Sequence, residues 1–199
     1  MDIPLAALAF HRSSKGLIYT RADGDSTWQL AMEFASNPSY ASGHIAHLIP
    51  SLRISNASIT DLSLSLVEDP MLLANAPKVL QNHRLTMLQR PQLPEWYVAD
   101  VGELDATIAG ILQIFIDQGI SFLTDHSTPA GMVRQFEEND KRALRQQHHY
   151  VHLIAAYLLE GRPPDATAIL HQQFSKPGIR KRYDTLWKNV TARLSATPP

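Results

Sequence analysis

The chain contains no cysteine in its 199 residues, so disulfides, thiolate metal sites and thiol catalysis are all excluded. A cysteine-free chain suits a reducing cytoplasm. Its nine glycines are scattered, and no glycine-rich turn joins a strand to a helix as phosphate or dinucleotide binding requires. No serine stands in a nucleophile elbow. No apolar run is expected to reach the roughly 20 residues that span a bilayer. The opening MDIPLAALAFHR has an acid at position 2, no basic leader and too short an apolar stretch for a signal peptide. Excess positive charge is missing too: the net charge is −1, which argues against nucleic acid. The expectation is a soluble cytoplasmic protein with no cofactor, no nucleic-acid partner and no membrane segment.

What is present reads as one α+β domain. Apolar residues make up 44% of the chain, enough to bury a substantial core at this length. Residues 1–127 read as a sheet plus a central helix, and residues 128–199 as a helical C-terminal subregion. Charge divides along the same line. Residues 1–127 carry seven Lys/Arg against thirteen Asp/Glu, a balance of −6, and residues 128–199 carry eleven against six, a balance of +5.

The organising stretch is residues 95–123. Trp96 to Val98 predict a short strand; Asp100 and Glu103 then form a capping pair. Leu104, Ile108, Ile111, Leu112 and Phe115 recur at helical spacing, and Gly119 is placed as a left-handed cap. Upstream, residues 5–10 end an N-terminal helix, and residues 16–21 and 27–34 flank an Asp-Gly turn as a hairpin. Trp28, Leu30, Met32 and Phe34 share one face of it. Residues 44–54 and 58–66 are strand candidates, the latter from the alternation of Leu62, Leu64 and Leu66. Residues 70–82 read as an insertion with a helix broken at Pro77. Residues 83–89 return to strand and pair beside residues 96–98. The result is an antiparallel sheet of about five or six strands with helices on one face.

Downstream, Thr128-Pro129 starts a helix with Met132, Val133 and Phe136 on its apolar face. Residues 141–159 form a longer helix, apolar nearly all round at its end and therefore buried. Residues 165–174 and 179–194 follow as helices, the last with Tyr183, Leu186, Trp187 and Val190 along its seam. The expected core includes Trp28, Met32, Trp96, Ile111, Phe115, Leu153, Ile154, Tyr157 and Trp187. The pair of helices around LIAAYLLEGRPPDATAIL has a faint repeat pattern, but one and a half units are too few for an array.

Candidate chemistry is sparse. His148 and His152 stand one helical turn apart, so they could share a divalent metal with Glu137, Glu138 or Asp140. The zinc-protease pattern needs a glutamate after the first histidine, and His149 occupies that place. The plainer reading is a polar helix face carrying three histidines. His44 and His47 on a strand would point to opposite faces, and His11, His83, His126 and His171 are isolated. Arg180, Lys181 and Arg182 beside Tyr183 and Trp187 could serve a nucleic acid, but the two aromatics lie on the apolar seam, which leaves the basic triplet as a solvated face.

Phe10-His11-Arg12, then Gly16-Leu17-Ile18-Tyr19-Thr20-Arg21 and the strand over residues 27–34, resemble the opening of a bacterial α+β family of unknown function. The similarity extends through the strand at residues 83–89, the tryptophan-bearing strand at residues 95–100 and the following helix. It covers residues 6–123, with residues 69–82 departing as an insertion. The resemblance implies a twisted antiparallel sheet and, for some members, an immunity role that neutralises a toxin; it implies no catalytic residue.

Three function classes follow. One is a non-catalytic protein-binding protein of immunity type, meeting a basic partner through Asp23, Asp25, Asp61, Glu68 and Asp69 in turns or at strand ends. Another is a metal-dependent enzyme using His148 and His152. The third is a structural module whose helices form a homodimer.

Overall fold

The structure, a computed structural model, describes residues 1–14, 16–73, 78–88, 92–142 and 145–196. The fold is α+β, with a six-stranded antiparallel sheet and a helical C-terminal part, as the sequence implies. The chain groups into two compact units: Met1–Ile54 with Gln81–Asp125, and Ser55–Leu80 with His126–Pro199.

In the first unit, α1 (Asp2–Ala7) leads to β1 (His11–Arg12), β2 (Ile18–Asp23), β3 (Ser26–Ser36) and β4 (Ala46–Asn56), with β5 (Gln81–Arg84) and β6 (Trp96–Val98) later in the chain. The hairpin is the one its turn residues predict. Asp23 pairs with Ser26, and Gly24 between them has a φ of +57°, a conformation glycine enters without a Cβ clash. The strand order is β1-β2-β3-β4-β5, and β6 also pairs with β4. Strand β5 meets β4 over Ser51–Ile54, and β6 meets it over Ala46–Leu48. The expected pairing of residues 83–89 with residues 96–98 is therefore replaced by two separate pairings with β4. Residues 85–88 turn into a 3-10 helix instead of extending the strand.

Strand alternation gives the sheet two unlike faces. One carries Trp28, Leu30, Met32, Leu48, Leu52 and Ile54, all buried. The other carries Glu33, His47, Arg53 and Arg84, with Glu33 and Arg53 paired at 3.0 Å. Phe34 has the parity of the apolar face yet is 63% exposed, because it borders a cavity. Trp96, on a three-residue strand, is half-buried rather than core.

The helix after β6 begins as its capping residues predict. Asp100 accepts from the Gly102 N–H at 2.7 Å, and Glu103 reaches back to the Ala99 N–H at 2.9 Å. It does not end at Gly119. A 3-10 turn, α3 (Leu104–Ile114), a π turn over Phe115–Gly119 and α4 (Ile120–His126) run on as one stretch, Val101–His126. A Cβ on Gly119 would stand 2.7 Å from the Phe115 Cδ2 atom, so glycine is required by close approach inside the helix, not by a left-handed cap. By length and composition this stretch is able to cross a membrane, which the sequence reading did not expect of any segment. Here Ile111, Leu112, Phe115, Phe122 and Leu123 are buried. Phe115 stands edge-on to Phe10 at 5.4 Å, and Phe122 meets His83 of β5 at 5.0 Å.

The second unit is helical. Residues 58–66 are not a strand: α2 spans Ala57–Val67. Asn56 caps it by accepting from the Ile59 N–H at 3.0 Å. Ile59, Ser63, Leu66 and Val67 form its buried face, a helical spacing that overrides the alternating leucines. Pro70–Leu73 is a 3-10 turn, and residues 74–77, where the broken helix was centred, lie outside the described residues. Helix α5 (Pro129–Glu137) has Thr128 accepting from the Gly131 N–H at 3.0 Å, as expected. Helix α6 (Gln147–Leu159) starts six residues later than predicted and buries every residue from Val151 to Tyr157, packing against α2, α5 and α7 (Pro163–Phe174). The last predicted helix is two, α8 (Pro177–Arg182) and α9 (Asp184–Ala196), interrupted at Tyr183. Trp187 is half-buried, with the Arg180 guanidinium 3.9 Å over its ring.

Phe115→Ala is expected to cost about 3–5 kcal/mol in equilibrium denaturation through lost burial and a cavity. Gly119→Ala is expected to destabilise the wild-type chain but to cost much less in the Phe115→Ala background, because the clashing ring is gone. Additive effects would contradict the close approach.

Candidate functional site

The first unit contains a cavity of about 750 Å³, within the range of small-molecule sites. Its floor is the apolar sheet face, where Leu17, Met32, Ala46 and Leu48 line it; its walls are α1 through Ile3 and Pro4, and α3 through Leu104 and Ile108. Three polar residues gather at it: Asp2, Arg12 and Tyr19. Arg12 and Tyr19 are cross-strand partners on β1 and β2, and α1 brings Asp2 between them. The Tyr19 hydroxyl donates to Asp2 Oδ1 at 2.5 Å, and Arg12 Nη1 donates to Asp2 Oδ2 at 3.4 Å. Burial, helped by the Asp2 carboxylate, pushes the Tyr19 hydroxyl up to about 12. The Tyr19 hydrogen bond, with Arg12 beside it, holds the Asp2 carboxyl below the usual carboxylate range. The corner thus brings together a phenol, a carboxylate and a guanidinium. Sequence reading missed this cavity. Only the cross-strand register and the return of α1 over the sheet bring residues 2, 12 and 19 together.

The polar face of the same sheet carries a second cluster. Tyr40 Oη lies 2.9 Å from His47 Nδ1, and His47 Nε2 lies 3.1 Å from Glu95 Oε2. Arg84 approaches Glu95 Oε1 at 3.8 Å. With Nε2–H donating to Glu95, Nδ1 is free to accept from the phenol, so one tautomer satisfies the whole chain. The rings of His44 and His47 both pack on Tyr97, at 5.1 and 4.5 Å. This corrects the expectation of opposite faces: His44 precedes the first residue of β4, so strand alternation does not apply to it. Hydroxyl, imidazole and carboxylate stand in the order of a general-base relay. Its partners are 7 and 48 residues apart from His47 in sequence, and no local pattern signals them.

In the second unit the histidines of α6 are not a polar face. His152 is 0% exposed and His149 is buried. His152 Nδ1 lies 2.9 Å from Ser63 Oγ on α2, while its buried Nε2 has no partner. An unpaired lone pair is more tolerable than an unpaired N–H, which favours the Nδ1–H tautomer donating to Ser63. His149 Nδ1 accepts from the Gln146 N–H at 3.0 Å. Of the proposed further ligands, Asp140 is held by Arg142 at 2.7 Å and Glu137 by Arg162 at 2.6 Å. Among the described residues no group of three or more His, Asp or Glu side chains is arranged to hold a metal ion. The metal reading of His148 and His152 therefore has no geometric support.

The five acidic candidates are all exposed but divide between the units. Asp23, 3.7 Å from Arg21, and Asp25 flank the hairpin turn in the first. In the second, Asp61 lies on α2 rather than at a strand end, Glu68 terminates that helix, and Asp69 accepts from the Met71 N–H at 3.0 Å. Grouped by unit, the first carries ten acidic against six basic residues and the second nine against twelve. The contrast is milder than along the sequence. A sharper feature is the stretch Val101–His126, which carries Glu103, Asp105, Asp117 and Asp125 and no lysine or arginine.

Burial, reinforced by His149 and His148, lowers His152 to about 3. An unfolded histidine titrates near 6.5, so below that pH the unfolded chain takes up a proton that the folded chain refuses. Stability is fully present above pH 6.5 and falls between 6.5 and about 3, by up to about 1.4 kcal/mol per pH unit. His152→Gln is expected to flatten that part of the pH–stability curve; an unchanged slope would show that His152 is not the group responsible.

No family model matches this chain, and neither a curated protein nor a solved structure does.

Proposed function

We propose that this chain is a non-catalytic binding protein that docks a basic protein surface, in the manner of an immunity protein against a toxin. The observation that carries the reading is the outward side of Val101–His126. Glu103, Asp105 and Asp117 are exposed there, and the stretch carries no lysine or arginine. Asp105 and Asp117 are twelve positions apart, about 18 Å along a helix, which spans the dimension of a protein contact. The apolar side of the same helix is buried through Ile111 and Phe115, so the carboxylates are held on an anchored element. Asp23 and Asp25 add exposed carboxylates to the same unit. The resemblance over residues 6–123 supports the immunity role, and Asp61, Glu68 and Asp69 belong to the other unit.

Complementary charge acts chiefly on the rate of encounter. Association with the basic partner recovered from the native cell is expected to slow as salt rises toward and beyond physiological strength, where screening acts over about 8 Å. Replacing Asp105 and Asp117 with Lys is expected to lower the on-rate about tenfold or more at low salt, whereas Asp61→Lys leaves it nearly unchanged. Capture of no basic partner, or on-rates indifferent to both salt and the helix substitutions, would overturn the proposal.

A further inference from the structure

The cavity of the first unit has an apolar body and one polar corner, and the corner is asymmetric in what it has left to offer. Asp2 already accepts from both Tyr19 and Arg12. The single donor of Tyr19 is spent on Asp2. Arg12 has five N–H donors and makes one bond to protein, at 3.4 Å and half-exposed. The unused capacity at the cavity is therefore a guanidinium fork, which matches a carboxylate in planar, two-pronged geometry. An amine would meet a carboxylate already engaged by a phenol and compensated by a guanidinium.

The other side chains lining the cavity are apolar. Met32 and Leu48 form the floor, and Leu104 and Ile108 the wall. Ile3 and Phe34, 86% and 63% exposed, stand at its border. A volume of about 750 Å³ accommodates a medium to long hydrocarbon chain. We infer that this cavity binds a fatty carboxylate, with its chain between the sheet and α3 and its carboxylate on the Arg12 guanidinium. The site uses none of the exposed carboxylates of the helix, and failure of dodecanoate binding would leave the proposed protein partner untouched. Burial of the chain supplies affinity, since apolar area removed from water is favourable whatever the headgroup, and Arg12 supplies the preference for a carboxylate.

The test is calorimetric titration of the full chain with dodecanoate, dodecanol and dodecylammonium, the two ions below their critical micelle concentrations and the alcohol below its solubility limit. Dodecanoate is expected to bind one to one, and about tenfold or more tighter than dodecanol, as a charge-assisted pair implies. Arg12→Gln is expected to reduce dodecanoate binding to the level of dodecanol while leaving dodecanol unchanged. Arg12→Lys, which keeps the charge but loses the fork, is expected to fall between. Ile108→Arg, placing a charge in the wall, is expected to abolish all binding while the far-ultraviolet circular dichroism stays native. No saturable binding of dodecanoate, tighter binding of dodecylammonium, or equal effects of Arg12→Gln on acid and alcohol would each overturn the assignment. Dodecanoate binding insensitive to Ile108→Arg in a folded variant would place the ligand elsewhere and overturn it as well.

Discussion

The long helix of the first unit depends on a close approach between its own backbone and one of its own rings. Phe115 is wholly buried, and the backbone of Gly119 lies so near it that a Cβ would fall 2.7 Å from the ring. The π turn over Phe115–Gly119 accommodates this contact without ending the helix. Its consequences run in both directions along the chain. Toward the N-terminus, α3 sets Leu104 and Ile108 over the sheet as the wall of the cavity. Toward the C-terminus, α4 carries Phe122 onto His83. The exposed positions of the long helix hold Glu103, Asp105 and Asp117 among small, polar and apolar residues such as Ala109, Gln113 and Ile116. One continuous helix thus supplies residues to the apolar interior, the cavity wall and the exposed carboxylates.

How much of this the sequence makes legible depends on the range of the cause. Local causes read well. The Asp-Gly hairpin, the Asp100–Glu103 cap and the Thr128-Pro129 helix start rest on residues within four positions of each other, and all are present in the structure. Where two local patterns compete, the sequence misleads. Leu62, Leu64 and Leu66 alternate like a strand, but the Asn56 cap and the buried spacing of Ile59, Ser63 and Leu66 belong to a helix. Gly119 has the position of a cap and the role of a contact. Nothing local distinguishes these, because the Phe115 ring is set by tertiary packing.

The candidate sites lie further from view. Asp2, Arg12 and Tyr19 converge through sheet register, and Tyr40, His47 and Glu95 through a loop and the pairing of β6 with β4. The histidines of α6 attract notice by their spacing, yet the fold uses them as interior groups: one binds Ser63, and one closes the first turn of its own helix. Buried imidazole needs only one good hydrogen bond and a neutral state to be tolerated, so histidine spacing alone is weak evidence of a metal. The acidic side of the long helix is visible in composition, but its exposure is known only once the sheet claims the opposite side.

The decisive measurement is residue-resolved amide hydrogen exchange across the long helix, since one continuous helix through the π turn links the cavity wall, the core and the exposed carboxylates. Slow exchange at Phe122 and Leu123 is expected to match that at Ile111 and Leu112, with no loss of protection after Gly119. Rapid exchange from Ile120 onward, beside a protected α3, would mean that the helix ends at Gly119 and that the π turn does not carry it on.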